Sequence, residues 1–236
     1  IYVLSSKKDP YRKMIDTAME TWDAEPLEGT RTVFYTGYPA AGDTDRIMSF
    51  PVMDELNFVG RITVAAFTHS LKHWAWDYLA RPNISCYAHK RKILERCQTL
   101  PERGVIEGIM CGPTFACGVN RNWLWGGGQF ILSHDVVESL VGQQDKWRND
   151  LMEDVAMSEL AQDCGYQLGS GLMCSIDKQN GDGWMVTSYN GKPGFEFTDW
   201  KDVAKADDQY FFRCKHDPDR SVDHVVMRLL KQHLPP

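Results

Sequence analysis

The amino-acid sequence predicts a single α/β domain, and three observations carry that prediction. The chain opens strand, helix, strand. Short apolar runs then keep alternating with helical patterns. Finally, 236 residues with 43% hydrophobic and 11% aromatic content can bury one substantial core. Eight Trp, nine Tyr and ten Phe argue against a disordered chain.

The elements follow in order. "IYVLSS" is a short apolar run ending in small polar residues, which suits a buried strand. In "KKDPYRKMIDTAMETW", Asp9 can cap and Pro10 fits the first helical position. Tyr11, Met14, Ile15, Ala18 and Trp22 then fall on one helical face. "TRTVFYTG" is a second strand closed by Gly37, and a right-handed crossover makes it parallel to the first. "DTDRIMSFPVMDELNF" reads as mostly irregular, and a helix is expected from about Val64 to Leu79, burying Phe67, Leu71, Trp74 and Tyr78. "PNISCYAH" reads as a strand, followed by the basic helical stretch "KRKILERCQTLPE". "GVIEGIMCGPTFACG" reads as strand and turn, and "WLWGGGQFILSHDVVESLVG" as turn, strand and helix. A helix over 151–160 and a return to the sheet in "CGYQLGSGLMCSI" come next. Residues 177–208, rich in Gly, Asp and Asn, read as loop. "QYFFRCKHDP" supplies a last strand and turn, and Val222, Val226, Leu229 and Leu230 mark a closing helix. There is no internal repeat and no interdomain linker, so residues 1–236 form one domain.

Composition narrows the function. A net charge of -6 and a pI near 5.6 disfavour a protein that coats nucleic acid. No apolar run reaches the roughly 20 residues that span a bilayer. The seven cysteines (86, 97, 111, 117, 164, 174 and 214) are odd in number and form no Cys-x-x-Cys pair, which favours a reducing, cytoplasmic setting. A Golgi lumen is the alternative if an anchor precedes Ile1. One sequon, Asn83-Ile84-Ser85, is present.

"LMEDVAMSEL" (151–160) carries the chemistry. Glu153 and Asp154 sit at the start of a helical pattern, where acids suit the macrodipole. A carboxylate held at a cleft can also be a general base. Just upstream, Gly126, Gly127 and Gly128 permit either a tight turn or close approach to a ligand, and Trp123 and Trp125 flank them as core aromatics or as platforms for a sugar face.

Taken together, "WGGGQFILSHDVVESL", "LMEDVAMSEL" and the opening with "METW" resemble glycosyltransferases of the fringe and β-1,3-galactosyltransferase type. The likeness spans roughly residues 1–160, and "YFFRCKHDPDR" fits it more loosely. It implies a GT-A fold, a Rossmann-like, mixed and mainly parallel sheet flanked by helices. Residues 1–110 would mainly bind the nucleotide sugar, and 111–236 would supply the acceptor side and closure. The implied activity is that of an inverting hexosyl- or pentosyltransferase. Its donor is a nucleotide sugar, with a UDP-sugar favoured, and its acceptor hydroxyl belongs to a glycan or glycoprotein.

By the same resemblance Asp154 is the base that deprotonates the acceptor, and Glu153 supports or replaces it. Trp125, Gly126, Gly127 and Gly128 border the sugars. Ser5, Ser6, Thr36 and Gly37, at the ends of the first two strands, take the base and ribose. The family binds Mn²⁺ or Mg²⁺ through an Asp-rich motif after the strand that here reads as "ISCYAH", but "KRKIL" follows it. "DTD" (43–45) and "DPD" (217–219) lie in polar turns. Fixed cations can offset a leaving diphosphate instead. Two clusters are available: His89, Lys90, Arg91 and Lys92, and Arg213, Lys215, His216 and Arg220. His216 alone is also a candidate metal ligand. His69 and His73, four apart, read as a structural pair.

Two alternatives stand beside this reading. One is transfer to hydroxymethylated pyrimidines in phage DNA, with the 89–92 run along the phosphates. The other is a non-catalytic nucleotide-sugar-binding relative that lacks the metal motif.

Overall fold

Alternation along the strands sets the layers of this protein. The structure is a computed structural model that describes residues 1–38, 44–114, 119–126, 129–179, 181–189, 192–214, 216 and 220–235. In chain order its elements begin with β1 (Tyr2–Leu4), α1 (Tyr11–Glu20), β2 (Val33–Tyr38), β3 (Ile47–Met53), α2 (Val59–His73), β4 (Tyr78–Pro82) and β5 (Cys86–Ala88). They continue with α3 (Lys90–Thr99), β6 (Ile106–Gly108), β7 (Met110–Cys111), β8 (Trp123–Leu124), β9 (Gln129–Ser133), α4 (His134–Gly142) and α5 (Glu153–Asp163). The chain closes with β10 (Gly169–Ser170), β11 (Met173–Lys178), β12 (Trp184–Ser188), β13 (Phe195–Phe197), β14 (Phe211–Arg213) and α6 (Ser221–His233).

The expected opening is present: β1 and β2 are parallel, and β3 extends the sheet in the order β1-β2-β3. A parallel bridge between Leu4 and Asn83 joins β1 to the end of β4. β4 belongs to a mixed sheet of order β10-β6-β9-β4. A further sheet, β13-β12-β11-β14-β5, is also mixed.

Side chains of period two divide between two cores. Tyr2, Val33, Tyr35, Leu79, Phe130 and Leu132 face α2, α4 and α5, burying Ile62, Phe67, Val136, Val137, Met157 and Leu160. Val3, Phe34, Ala80 and Ile131 face the other way, against Met14, Ile15 and Ala18 of α1, the β11–β14 sheet and Met227 and Leu230 of α6.

Four elements differ from expectation. The 64–79 helix starts at Val59 and stops at His73, because Tyr78, Leu79 and Ala80 pair with Ser133, Leu132 and Ile131 of β9. Helical spacing of Trp74 and Tyr78 hid that pairing. The 44–58 stretch contains β3, an edge strand that tolerates Pro51. "PNISCYAH" is divided between two strands: Pro82 ends β4, and Cys86–Ala88 form β5, antiparallel to β14. Residues 177–208 include β12, β13 and a 3₁₀ segment, Trp200–Ala206.

Candidate active site

The site grows from an arginine inside an apolar layer. In β4, Leu79 and Arg81 share the face that meets α2 and α5, so Arg81 is fully buried. A buried charge needs a partner. Arg81 Nη2 donates to Glu153 Oε2 at 2.6 Å, and its Nε donates to the Tyr35 hydroxyl at 3.2 Å. Thr63 Oγ1 of α2 donates to the other Glu153 oxygen at 2.8 Å. Burial pushes the Glu153 carboxyl up, while the Arg81 guanidinium and the Thr63 hydroxyl pull against it. Glu153 therefore holds the first turn of α5 onto β4.

Asp154 is the next residue and points elsewhere. It is 8% exposed. The backbone N–H of Gly126 donates to Asp154 Oδ2 at 2.6 Å, and that of Val155 to Oδ1 at 2.9 Å. This is no solvated first-turn acid. Ser158 fastens the same turn, donating to the Asp154 carbonyl at 2.7 Å and accepting from Leu124 N at 2.9 Å. Residue 126 must lack a side chain, since a Cβ there would stand 2.5 Å from Asp154 Cβ. The Gly126 carbonyl accepts from Asn83 Nδ2 at 2.6 Å, and Arg81 Nη1 donates to Asn83 Oδ1 at 2.9 Å. The sequon asparagine is thus spent inside the site.

Beside Gly126, Trp125 carries the Arg213 guanidinium over its ring at 4.6 Å and meets Tyr189 edge-on at 5.4 Å. Arg213 Nη1 is buried without a hydrogen-bond partner among the described residues. Trp123 is core instead: it is buried against Val119 and Val155, and its indole donates to the Gly112 carbonyl at 3.0 Å.

Ser5, Ser6, Thr36 and Gly37 converge at the carboxyl ends of β1 and β2. Ser6 Oγ donates to Asp54 Oδ2 at 2.7 Å, and Lys7 N donates to the same oxygen at 3.1 Å. Thr36 is buried and hydrogen-bonds Ser49 at 3.2 Å. A Cβ at Gly37 would lie 2.7 Å from Asp54 N, so glycine lets the β3 end close over it. Asn83 adjoins this end through the Leu4 bridge, and Arg213 reaches the same side because it pairs with Cys86. Arg220 arrives by way of Tyr11 at the start of α1, donating to its hydroxyl at 3.4 Å. Arg220 is buried and holds a left-handed φ of 61°.

Two expectations need correcting. His89 and Lys90 do not stand with Ser5, Ser6, Thr36 and Gly37 at the carboxyl ends of β1 and β2. Lys90 Nζ pairs with Asp23 at 3.1 Å, and Asp23 also binds Thr32 and Arg46 beside the amino ends of β2 and β3. The His89 ring contacts the Pro235 carbonyl at 2.9 Å, and burial lowers its pKa. The physical reason is the reversed run of β5, which carries the chain away from the Asn83 end. His216, the candidate metal ligand, has both ring nitrogens engaged: Nδ1 with Asp223 at 2.8 Å and Nε2 with the Ile176 carbonyl. Burial alone would lower its pKa, but Asp223 and the carbonyls reverse the sign and raise it. Gly127, Gly128, Lys215, Cys117, Asp43 and the 217–219 "DPD" lie outside the described residues.

Of the described donors at the carboxyl ends, Glu153, Asp154 and Asn83 do not suit a hard divalent cation, which seeks several free carboxylate oxygens. Glu153 is spent on Arg81, the Asp154 oxygens face backbone N–H groups, and Asn83 is held on both amide atoms. Among the described residues no three His, Cys, Asp or Glu side chains converge. His69 stacks on His73 at 4.3 Å, and burial lowers the His69 pKa.

Sequence reasoning passed over Arg81, Asn83, Thr63, Asp54 and Ser158. The one available signal was Arg81, a charge within the apolar run "YLARP".

No protein-family model matches the chain, and no curated protein matches it.

A cavity of about 750 Å³ opens at the other end of the sheet, lined by Tyr2, Arg31, Trp74, Trp76 and Tyr78 among others. It lies at the amino ends of β1 and β4, and the charged side chains in its lining, Arg31 and Asp77 among them, are exposed rather than buried. We place the candidate site at the carboxyl ends, where buried ionisable groups meet and where open α/β sheets bind ligands. No helix among the described residues is long and apolar enough to cross a membrane.

Proposed function

We propose that this chain is an inverting glycosyltransferase of GT-A type, moving one sugar from a nucleotide sugar, a UDP-sugar by preference, to a hydroxyl of a glycan or glycoprotein. One observation carries the reading. A buried, oriented carboxylate, Asp154, is held by Gly126, and the neighbouring Trp125 carries the Arg213 guanidinium, one nitrogen of which has no hydrogen-bond partner among the described residues. Asp154 and Arg213 thus contact two residues adjacent in the chain, Gly126 and Trp125.

The chemistry follows from their roles. The acceptor hydroxyl gives its proton to Asp154 as its oxygen bonds to the anomeric carbon. The bond from that carbon to the diphosphate breaks on the opposite face, and the diphosphate leaves with the electron pair. Arg213 offsets the developing charge, with Arg220 on the same side of the sheet. Such fixed cations act strongly in a site shielded from water. Ser5, Ser6, Thr36 and Gly37 border the base and ribose, with Asp54 closing that end. The sheet order β3-β2-β1-β4-β9-β6 and the resemblance of "WGGGQFILSHDVV" and "MEDV" support the fold assignment.

The test is nucleotide release from a panel of UDP-, GDP- and CMP-sugars, with and without EDTA, in the presence of candidate acceptors. Release insensitive to EDTA is expected. Release abolished by EDTA overturns the cation assignment, and no release with any donor favours a non-catalytic binding relative.

A further inference from the structure

Three consecutive glycines in the sequence, Gly126 to Gly128, are a poor foundation for an oriented carboxylate. Glycine has the widest backbone freedom of any residue, and holding it still costs the most entropy. Yet Gly126 N–H is the group that aims Asp154 Oδ2, at 2.6 Å.

We propose that Asn83 is a positioning residue that fixes Gly126 and, through it, the direction of the Asp154 carboxylate. The hydrogen bonds close a circuit. Asp154 accepts from Gly126 N, and the Gly126 carbonyl accepts from Asn83 Nδ2 at 2.6 Å. The Asn83 carbonyl oxygen accepts from Arg81 Nη1 at 2.9 Å, which fixes which way the amide faces. Arg81 Nη2 then donates to Glu153 at 2.6 Å, and Glu153 precedes Asp154 in the chain. Arg81 Nη1 lies a further 3.5 Å from the Gly126 carbonyl, so that oxygen is gripped from two sides. Every member is nearly or fully buried except Asn83, which the Leu4 bridge pins to the sheet. Side-chain amides in such networks act together rather than singly. The catalytic consequence rests on Asp154 being the base. The positioning itself does not.

The experiment reads the two apart. The Gly126 amide proton, donated to a carboxylate, is followed by NMR in the full chain, alongside kcat and KM for nucleotide release. Asn83→Ala removes the clamp. Asn83→Asp, nearly the same shape, keeps the Arg81 contact but loses the N–H donor, and it serves if the alanine variant folds poorly. In both, the Gly126 signal is expected to shift upfield and its exchange to quicken by roughly tenfold, the scale of one lost hydrogen bond. The kcat should fall with KM little changed. In an Asp154→Asn background the same substitutions should move the Gly126 signal less, as coupled neighbours do. An unchanged Gly126 signal in both Asn83 variants overturns the proposal, whatever the activity. A shifted signal in a protein that releases no nucleotide upholds the positioning and removes the glycosyl-transfer reading alone.

Discussion

The backbone N–H of Gly126 donates to Oδ2 of Asp154 at 2.6 Å, and the space between the two residues has no room for a methyl group. This contact ties a glycine turn to the first turn of a helix. It turns an acid in an ordinary position into a buried, directed carboxylate.

Gly126→Ala is therefore expected to push Asp154 out of line. The added Cβ would meet Asp154 Cβ at 2.5 Å and its Cγ at 2.9 Å, and neither neighbour is the loose end of a long side chain. Forced overpacking of this kind costs about 1–3 kcal/mol. Urea unfolding should show that loss, and nucleotide release should fall further than the stability change explains. Wild-type turnover in this variant would contradict the contact's importance.

The Arg81–Glu153 pair is a structural device. Arg81 is fully buried, and the side chain of Glu153 is 6% exposed. Removing one member leaves the other charge without compensation, at about 3–5 kcal/mol. Glu153→Ala should lower the denaturant midpoint accordingly. Replacing both with apolar residues of similar volume, as in Arg81→Met with Glu153→Leu, should recover most of the loss. If Glu153→Ala is as stable as the parent, the pair does not anchor α5.

How far this was legible in the sequence depends on the kind of interaction. The β-α-β opening and the "QFILSHDVVESL" strand and helix follow from periodicity, and the structure has them as β1, α1, β2, β9 and α4. Asp154 stood out because an acid before an apolar helical pattern is a local signal. Arg81 and Asn83 stayed hidden because their meaning is non-local: 72 residues separate Arg81 from Glu153, and 43 separate Asn83 from Gly126. The β4 strand was itself masked by aromatics whose spacing continued the helical period of α2. Lys90 misled for the opposite reason. A basic run looks like a phosphate site until its partner, Asp23, is found 67 residues away.

His216 should make stability depend on pH. Its folded-state pKa is raised above the ordinary 6.5 by Asp223, against the effect of burial. The protonated form is thus favoured in the folded chain. Its contribution is fully present below about pH 6.5 and is lost as pH rises through the higher folded value. Thermal unfolding between pH 6 and 9 should show this decline in the parent and a flatter profile in His216→Asn. Equal slopes in the two proteins would remove His216 as the source.

Arg213 is the cation whose loss should be felt in turnover. Arg213→Ala removes both the charge and the stack over Trp125, and a fall of roughly 100-fold is expected, the scale for one electrostatic contact in a transition state. Arg213→Lys keeps the charge without the planar stack and should lie between. Full activity in the alanine variant would assign the leaving-group role elsewhere.

The most direct measurement is the rate of nucleotide release by Asp154→Asn, compared with the parent protein on the donor that turns over best. Asparagine keeps the shape and can still accept from Gly126 N–H, but it cannot take a proton. The account predicts a fall of roughly 100-fold or more in kcat, the scale for a lost general base, with the fold intact. Turnover equal to the parent's would contradict it and leave Asp154 as a residue that only fastens the Gly126 turn to α5.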